Sequence, residues 1–334
     1  MTALVSAPDL AQTTLRLVDT PSESRNEQAA VELIRELLPG TPVYDDGEVL
    51  LYGAGPVVLA GHLDTIPAQG NIPGRIDGDA VHGLGASDMK GGLAVMVELA
   101  RAGVPGRYLF FTREEVPVSE SPLPALFATD LLDDAELAVV MEPTDCILHA
   151  GCLGNIQARV TFHGESAHSA RPWTGVNAIH ELVRGLRKLV QLEPLDVELD
   201  GLTYREVVSA VRVEGGIASN VVPASASVEL NYRFMRDDPE QHLRALVPHG
   251  ELEILSAAPS APPSLRNRQI ERLRELVAEV APKQAWTPVA QFAEQGIDAI
   301  NYGPGLTRFA HRVDEQIPIG NLHAAYETLR RFLS

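Results

Sequence analysis

Cysteine is nearly missing from this 334-residue chain. Its two residues, Cys146 and Cys152, are too few for a disulfide scaffold and fit a reducing compartment. No apolar run approaches the roughly 18 residues of a membrane span. Met1 to Leu10 shows neither a basic leader nor a long apolar core, so no signal peptide is expected and the cytoplasm is the expected location. Positive charge is in short supply: 27 Lys and Arg face 45 Asp and Glu, a net charge of −18 with a pI near 4.9. Such a chain repels phosphate backbones and anionic lipid surfaces, which argues against general nucleic-acid or peripheral-membrane binding. Phosphate loops are missing too. Gly83-x-Gly85-x4-Lys90 is neither a Walker A nor a dinucleotide fingerprint, and Ser87 and Ser169 lack a nucleophile elbow.

What is present is an ordinary globular composition, 45% hydrophobic and 22% charged, with length for about two domains. The first part reads as α/β. Helical patterns cover Leu10 to Val18, Glu27 to Leu38 and Gly91 to Ala102. Strands are read at Glu48 to Tyr52, Pro56 to Gly61, Arg107 to Thr112 and Glu136 to Met141. The run Val57-Val58-Leu59-Ala60 is continuous, as in a strand buried on both faces.

From Asn155 the pattern changes. Strands at Ile156 to Phe162, Tyr204 to Glu214, Val221 to Phe234 and Glu251 to Leu255 alternate with helices at Gly175 to Leu192 and Pro239 to Val247. The order β-α-β-β-α-β is that of a ferredoxin-like α+β unit. Ala257 to Pro263 reads as a linker. A helix at Asn267 to Ala281, a strand at Ala299 to Tyr302 and a helix at Leu322 to Leu333 then resume the α/β style. The expected fold class is α/β, in parts 1–154 and 259–334, interrupted by an inserted α+β domain at 155–258.

Polar residues recur at the C-terminal ends of the buried strands, where open α/β sheets place ligands. His62 with Asp64, Asp88, Glu114 with Glu115, Glu142 and His311 form the constellation. Alone, each has an ordinary reading: a hydrogen-bonded structural histidine, a turn aspartate, a solvated glutamate pair. Together they supply N and O donors suited to Zn²⁺, Mn²⁺ or Co²⁺, and a bound metal would relieve the cost of unpaired charge behind buried strands.

Several longer phrases carry a resemblance. They are His62-Leu63-Asp64-Thr65-Ile66-Pro67, Gly83 to Gly92 (GLGASDMKGG), Thr112-Arg113-Glu114-Glu115, Met141-Glu142-Pro143-Thr144 and Ala310 to Glu315 (AHRVDE). Ala167 to Pro172 (AHSARP) and Ser219 to Pro223 (SNVVP) add to them from the inserted segment. In kind and order they resemble the dizinc aminoacylase/carboxypeptidase-G-like metallopeptidase family. Within it, AHSARPWTGVNAIH, TYREVVSAVRVEGG and NYGPG resemble succinyl-diaminopimelate desuccinylases of the actinobacterial type.

The resemblance implies a mixed-sheet zinc-peptidase domain carrying a ferredoxin-like lid and dimerisation domain. It implies two Zn²⁺ per chain, with Co²⁺ or Mn²⁺ as substitutes: His62 and Glu142 on one ion, Glu115 and His311 on the other, Asp88 bridging. Asp64 then orients the His62 ring, and Glu114 is the general base that takes a proton from a water shared by the metals. His168 would reach the active site of the other subunit of a homodimer paired through the inserted domain. Asn220 and Arg233, with Arg171, Tyr204 and Arg205, are candidates for holding the polar groups of a small N-acyl amino acid. Gly303 and Gly305 are expected to form a tight loop against it. The implied reaction is hydrolysis of N-succinyl-L,L-diaminopimelate, with related deacylases, such as acetylornithine deacetylase or a carrier-protein-linked hydrolase, as the alternative. Cys146 and Cys152 are expected as small buried residues past the Glu142 strand.

Overall fold

The computed structural model describes residues 9–334, so most of the Met1 to Leu10 stretch read for a targeting signal lies outside the described residues. These residues form two compact units: 9–151 with 263–283 and 287–334, and 152–262 with 284–286. Among them, no helix is long and apolar enough to cross a membrane.

The first unit is built on an eight-stranded mixed sheet. Across it lie Tyr44–Asp45, Val49–Ala54, Gly106–Phe111, Val57–His62, Leu137–Val140, Ala299–Asn301, Leu148–Ala150 and Val280–Pro282. Val57–His62 runs parallel to both its neighbours and is buried at every residue, as its unbroken apolar run requires. Helices Leu10–Val18, Gly91–Arg101 and Ile319–Leu333 pack together beside it. Asp9 caps the first, accepting from the Gln12 N–H at 3.1 Å. Gly61 makes the close packing possible. A Cβ there would stand 2.7 Å from Leu93 Cδ2 and 2.8 Å from Met89 Cε, so any side chain would push the Gly91–Arg101 helix off the strand end that carries His62.

The second unit holds a five-stranded antiparallel sheet in the order Leu195–Leu199, Leu202–Gly215, Ser225–Phe234, Gly154–His163, Glu251–Ala258. Gly154–His163 and Ser225–Phe234 alternate buried and open positions. Their inward residues, among them Ile156, Val160, Phe162, Val228 and Tyr232, form one core with Leu182, Leu186, Leu189, Leu243 and Leu246 of the helices. The other four strands and two helical segments have the ferredoxin-like order, with Leu195–Leu199 added as a further edge strand that sequence pattern did not disclose.

Three expected elements differ. The Gly175 to Leu192 helix is two helices, Ala178–Gly185 and Arg187–Val190, with Gly185 pressed on the Phe162 ring. The Val221 to Phe234 strand divides into Val221–Val222 and Ser225–Phe234, because Pro223 has no N–H for the ladder. The Asn267 to Ala281 helix stops at Arg274, and Val280–Pro282 instead pairs in parallel with Leu148–Ala150. Tertiary pairing there overrides a helical pattern that Val280 and Pro282 support poorly.

Candidate metal centre

His62 closes the buried central strand and is 1% exposed. Its Nδ1 lies 3.0 Å from the backbone carbonyl of Asp64, which can only accept, so Nδ1 is the donor and Nε2 points onward. Nε2 is 3.3 Å from Asp88 Oδ1 and 3.8 Å from Glu142 Oε1. Burial opposes a charge on this ring, but hydrogen bonds with Asp64 and Asp88 and the charge of Glu114 raise its pKa well above the ordinary histidine range. The surroundings attract a cation to Nε2, whether a proton or a metal ion.

Asp64 stands where a ring-orienting carboxylate is expected, and it holds the neighbouring loop as well. Both its carbonyl, at 3.0 Å, and its carboxylate, at 3.5 Å, face His62 Nδ1, and the carboxylate accepts the Glu114 N–H and the Glu115 N–H, each at 2.9 Å, and the Ser24 hydroxyl at 2.8 Å. Burial works against ionisation there. Hydrogen bonding to His62 and the two N–H donors prevail, and the pKa falls to about 2. A permanent anion thus anchors the loop that carries both glutamates.

Asp88 faces two histidines with two oxygens. Its Oδ1 meets His62 Nε2, and its Oδ2 is 3.5 Å from His311 Nε2. His311, on an exposed turn, also lies 2.9 Å from Glu115 Oε1, and that hydrogen bond is the main reason its pKa rises to about 9. Ligand atoms of His62, Asp88 and Glu115 all lie within 4.8 Å of one another, the arrangement of a group able to hold a metal ion. Glu142 is buried, and its Oε1 has no hydrogen-bond partner among the described residues. Burial, and then the charges of Glu142, Glu115 and Asp64 against the pull of His62, push Glu114 well above the usual carboxyl range.

Magnitudes show why this cluster calls for cations. Two like charges 4 Å apart cost about 4 kcal/mol at an effective dielectric of 20. A single hydrogen bond returns about 1 kcal/mol. Asp64, Asp88, Glu114, Glu115 and Glu142 outnumber the cationic groups beside them, and Glu142 Oε1, without a hydrogen-bond partner, lies 3.8 Å from His62 Nε2. The imidazole and carboxylate donors suit zinc or another divalent first-row ion.

Two residues that sequence reading passed over belong here. Lys283, 5% exposed, places Nζ 3.7 Å from Glu142 Oε2. Glu315 accepts N–H bonds from the Gly83–Asp88 loop. Lys283 stands outside any motif, and Glu315, the last residue of one, carried no assigned role.

Gly303 and Gly305 are buried against protein rather than open to a ligand. A Cβ on Gly303 would meet Met141 O at 2.4 Å and Glu142 O at 2.5 Å, and one on Gly305 would meet Ser87 O at 2.0 Å. Thr144 Oγ1 takes the Gly303 N–H at 3.0 Å. This loop therefore braces the Glu142 and Asp88 segments, which corrects the expectation of a substrate-facing loop. Cys152 is buried and Cys146 half-buried, and neither is in a disulfide; burial and then Asp145 push the Cys146 thiol up to about 12.

The remaining candidates lie in the second unit. His168 and Asn220 are exposed at the Ala167–His168 and Val221–Val222 pairing, where the Ser169 N–H donates to Asn220 O at 3.0 Å and His168 Nδ1 accepts from the Ala170 N–H. Arg171 is exposed one turn on. Arg233 is half-buried with Nε donating to Asn231 Oδ1 at 3.1 Å. Arg205 is exposed, but its fork already grips Asp196 at 2.7 and 3.0 Å. Tyr204 is 0% exposed, a core residue with no surface for a ligand.

Comparison with known proteins places this geometry. A profile for peptidase family M20/M25/M40 matches residues 58–334. A Mycobacterium tuberculosis protein provisionally named succinyl-diaminopimelate desuccinylase DapE is 38% identical over 97% of this chain and 98% of its own. The Corynebacterium glutamicum succinyl-diaminopimelate desuccinylase is 34% identical over 96% and 95%. Among solved structures, the M20 metallo-carboxypeptidase Sso-CP2 of Sulfolobus solfataricus has a TM-score of 0.77 at 16% identity, covering 98% of this chain and 99% of that one. The Bacillus subtilis YXEP protein, described as a dinuclear metal-binding peptidase, has a TM-score of 0.67 at 16% identity over 97% and 96%. Every residue of the cluster, from His62 to His311, falls inside the matched span, and the chain belongs to peptidase family M20/M25/M40.

Proposed function

We propose that the protein is a dinuclear zinc amidohydrolase that cleaves N-succinyl-L,L-diaminopimelate to succinate and L,L-diaminopimelate. One observation carries the metal reading: the two oxygens of Asp88 face different histidines, His62 at 3.3 Å and His311 at 3.5 Å. A carboxylate so placed suits a bridge, with His62 and Glu142 completing one ion and Glu115 and His311 the other. The substrate reading is supported by the two desuccinylases that match nearly the whole chain.

When bound, the ions supply Lewis acidity toward water and the amide carbonyl. Glu114 does the proton work. It takes a proton from the attacking water and returns it to the departing amine, for which a carboxyl raised by burial is suited near neutral pH. Asp64 keeps Glu114 and Glu115 in place through their N–H groups, so one glutamate ligates while its neighbour stays free. His168 donates to the developing oxyanion across a homodimer interface. Exposed Val211, Val213 and Ile217 of the inserted unit give a second copy of the chain an apolar surface to cover. Arg233, Asn220 and Arg171 hold substrate carboxylates, Arg233 by a bidentate fork. A cytoplasmic setting belongs to the same proposal, since a chain with two cysteines in 334 residues fits a reducing compartment.

The test is a zinc-reconstituted assay of N-succinyl-L,L-diaminopimelate against N-acetylornithine at matched concentration. Strong preference for the succinyl amide is expected. Preference for the acetyl amide overturns the substrate and keeps the chemistry. Absence of bound metal after reconstitution overturns the dinuclear centre.

A further inference from the structure

The turn that supplies His311 ends at Glu315, a residue without a part in the proton chemistry. Glu315 is 2% exposed, yet it is well occupied. Its Oε2 accepts the Gly85 N–H at 2.8 Å, and its Oε1 accepts the Ser87 N–H at 3.0 Å and the Asp88 N–H at 2.9 Å. Its own carbonyl accepts the Gly83 N–H at 3.0 Å, and the Ser87 hydroxyl donates to Gln316 O at 2.6 Å. The Gly83–Asp88 loop is therefore laid along Glu315 and Gln316. On the other side, the Glu315 N–H donates to Arg312 O at 3.2 Å, which closes the turn Arg312–Glu315 that directly follows His311.

The consequence is a link between two ligand-bearing turns remote in sequence. Three N–H groups converge on one carboxylate, as in a backbone nest built around an anion. A neutral amide cannot replace it. It has one acceptor oxygen, and its NH₂ would face a backbone N–H. The loop has little freedom to adjust, because a side chain at Gly85, whose φ is +75°, would run into Thr65 Cγ2 at 2.8 Å.

We propose that Glu315 is a positioning residue that sets the spacing of Asp88 and His311, and through it the metal affinity of the centre. The inference rests on the dinuclear reading above. Because Asp88 would serve both ions, both should weaken together when Glu315 is changed.

The experiment is a competitive zinc titration of the full chain against a chelating indicator, with thermal melting alongside, for the wild type, Glu315→Gln and Glu315→Asp. Glu315→Gln should weaken both zinc equivalents at least about tenfold. At saturating zinc its kcat should fall with KM little changed. Glu315→Asp keeps the charge and loses reach, and should lie between the two. A Glu315→Gln chain that melts like the wild type and binds both ions equally well, or that loses one ion alone, overturns the proposal. If Glu315→Gln does not fold, Glu315→Asp decides: weakened zinc binding sustains the proposal and wild-type affinity overturns it. A wild-type chain that binds no zinc overturns the dinuclear reading and this inference with it. Zinc-loaded wild type beside unaltered variants overturns this inference alone.

Discussion

The two units hold their candidate site residues in opposite ways. In the first, carboxylates and histidines are packed at strand ends and tight turns, where their mutual distances are set by backbone hydrogen bonds. Asp64 alone takes two backbone N–H groups and a hydroxyl. In the second, His168, Asn220 and Arg171 are exposed, and Arg205 and Arg233 bond to neighbours in their own unit. Reactive geometry is preorganised in the first. In the second, His168, Asn220 and Arg171 are open to a partner from outside, and ordering a side chain on binding costs up to about 2 kcal/mol each. Changes in the first unit should therefore strike turnover, and changes in the second should strike binding.

The largest contrast is expected at Glu114. Glu114→Gln should keep both metal ions and lose at least about a hundredfold in kcat, measured with metal analysis on the same sample. Near-normal turnover would remove the base from the sharper side of the comparison. His168 should behave as an exception in the second unit, because it is assigned to chemistry. His168→Ala homodimers should be nearly inactive, while mixing them with Glu114→Gln chains should restore part of the activity. Proven exchange of chains without recovery would return His168 to the binding side.

A smaller effect separates the two arginines. Loss of a charge-assisted fork costs about 1.5–3 kcal/mol, so Arg233→Ala should raise KM tenfold or more with kcat little changed. Arg205→Ala should change KM less than about twofold, since its fork is already taken by Asp196 in an exposed, solvent-screened pair. Equal effects would erase the distinction. The mildest prediction concerns His149, held down to about 4 by burial and by Lys283. Its folded pKa lies below the unfolded value near 6.5, so the unfolded chain binds more protons between those limits. The stability it contributes is whole above pH 6.5 and is lost as pH falls toward 4. Melting curves of His149→Gln should be flatter than wild type across that window.

Legibility followed the same division. His62 could be read because a continuous apolar strand ended on it, and burial makes a polar residue at such a point costly. The ferredoxin-like order could be read from alternation at Gly154–His163 and Ser225–Phe234. Residues whose role depends on who packs against them could not. Glu315 looks like one more acidic turn residue until three N–H groups from the Gly83–Asp88 loop meet it. Lys283 carries no local sign that Glu142 is beside it. Tyr204 and Gly303 were drawn toward the ligand by their motifs and are buried instead. Val280–Pro282 failed for the reverse reason: its strand exists through pairing with Leu148–Ala150, which no window around residue 280 contains.

Gln284–Trp286 groups with the second unit although the chain has already left it at Pro262. Gln284 Nε2 donates to Thr203 O at 2.8 Å, and its Oε1 accepts the Arg205 N–H at 3.0 Å. The inserted unit is thus not a removable cassette. A recombinant fragment spanning Cys152–Pro262 would expose the backbone of Thr203 and Arg205, and a deletion of the same span would strand Gln284–Trp286 on the remainder. Grafting this unit onto a relative, or producing it alone, requires carrying a second, distant piece of sequence with it.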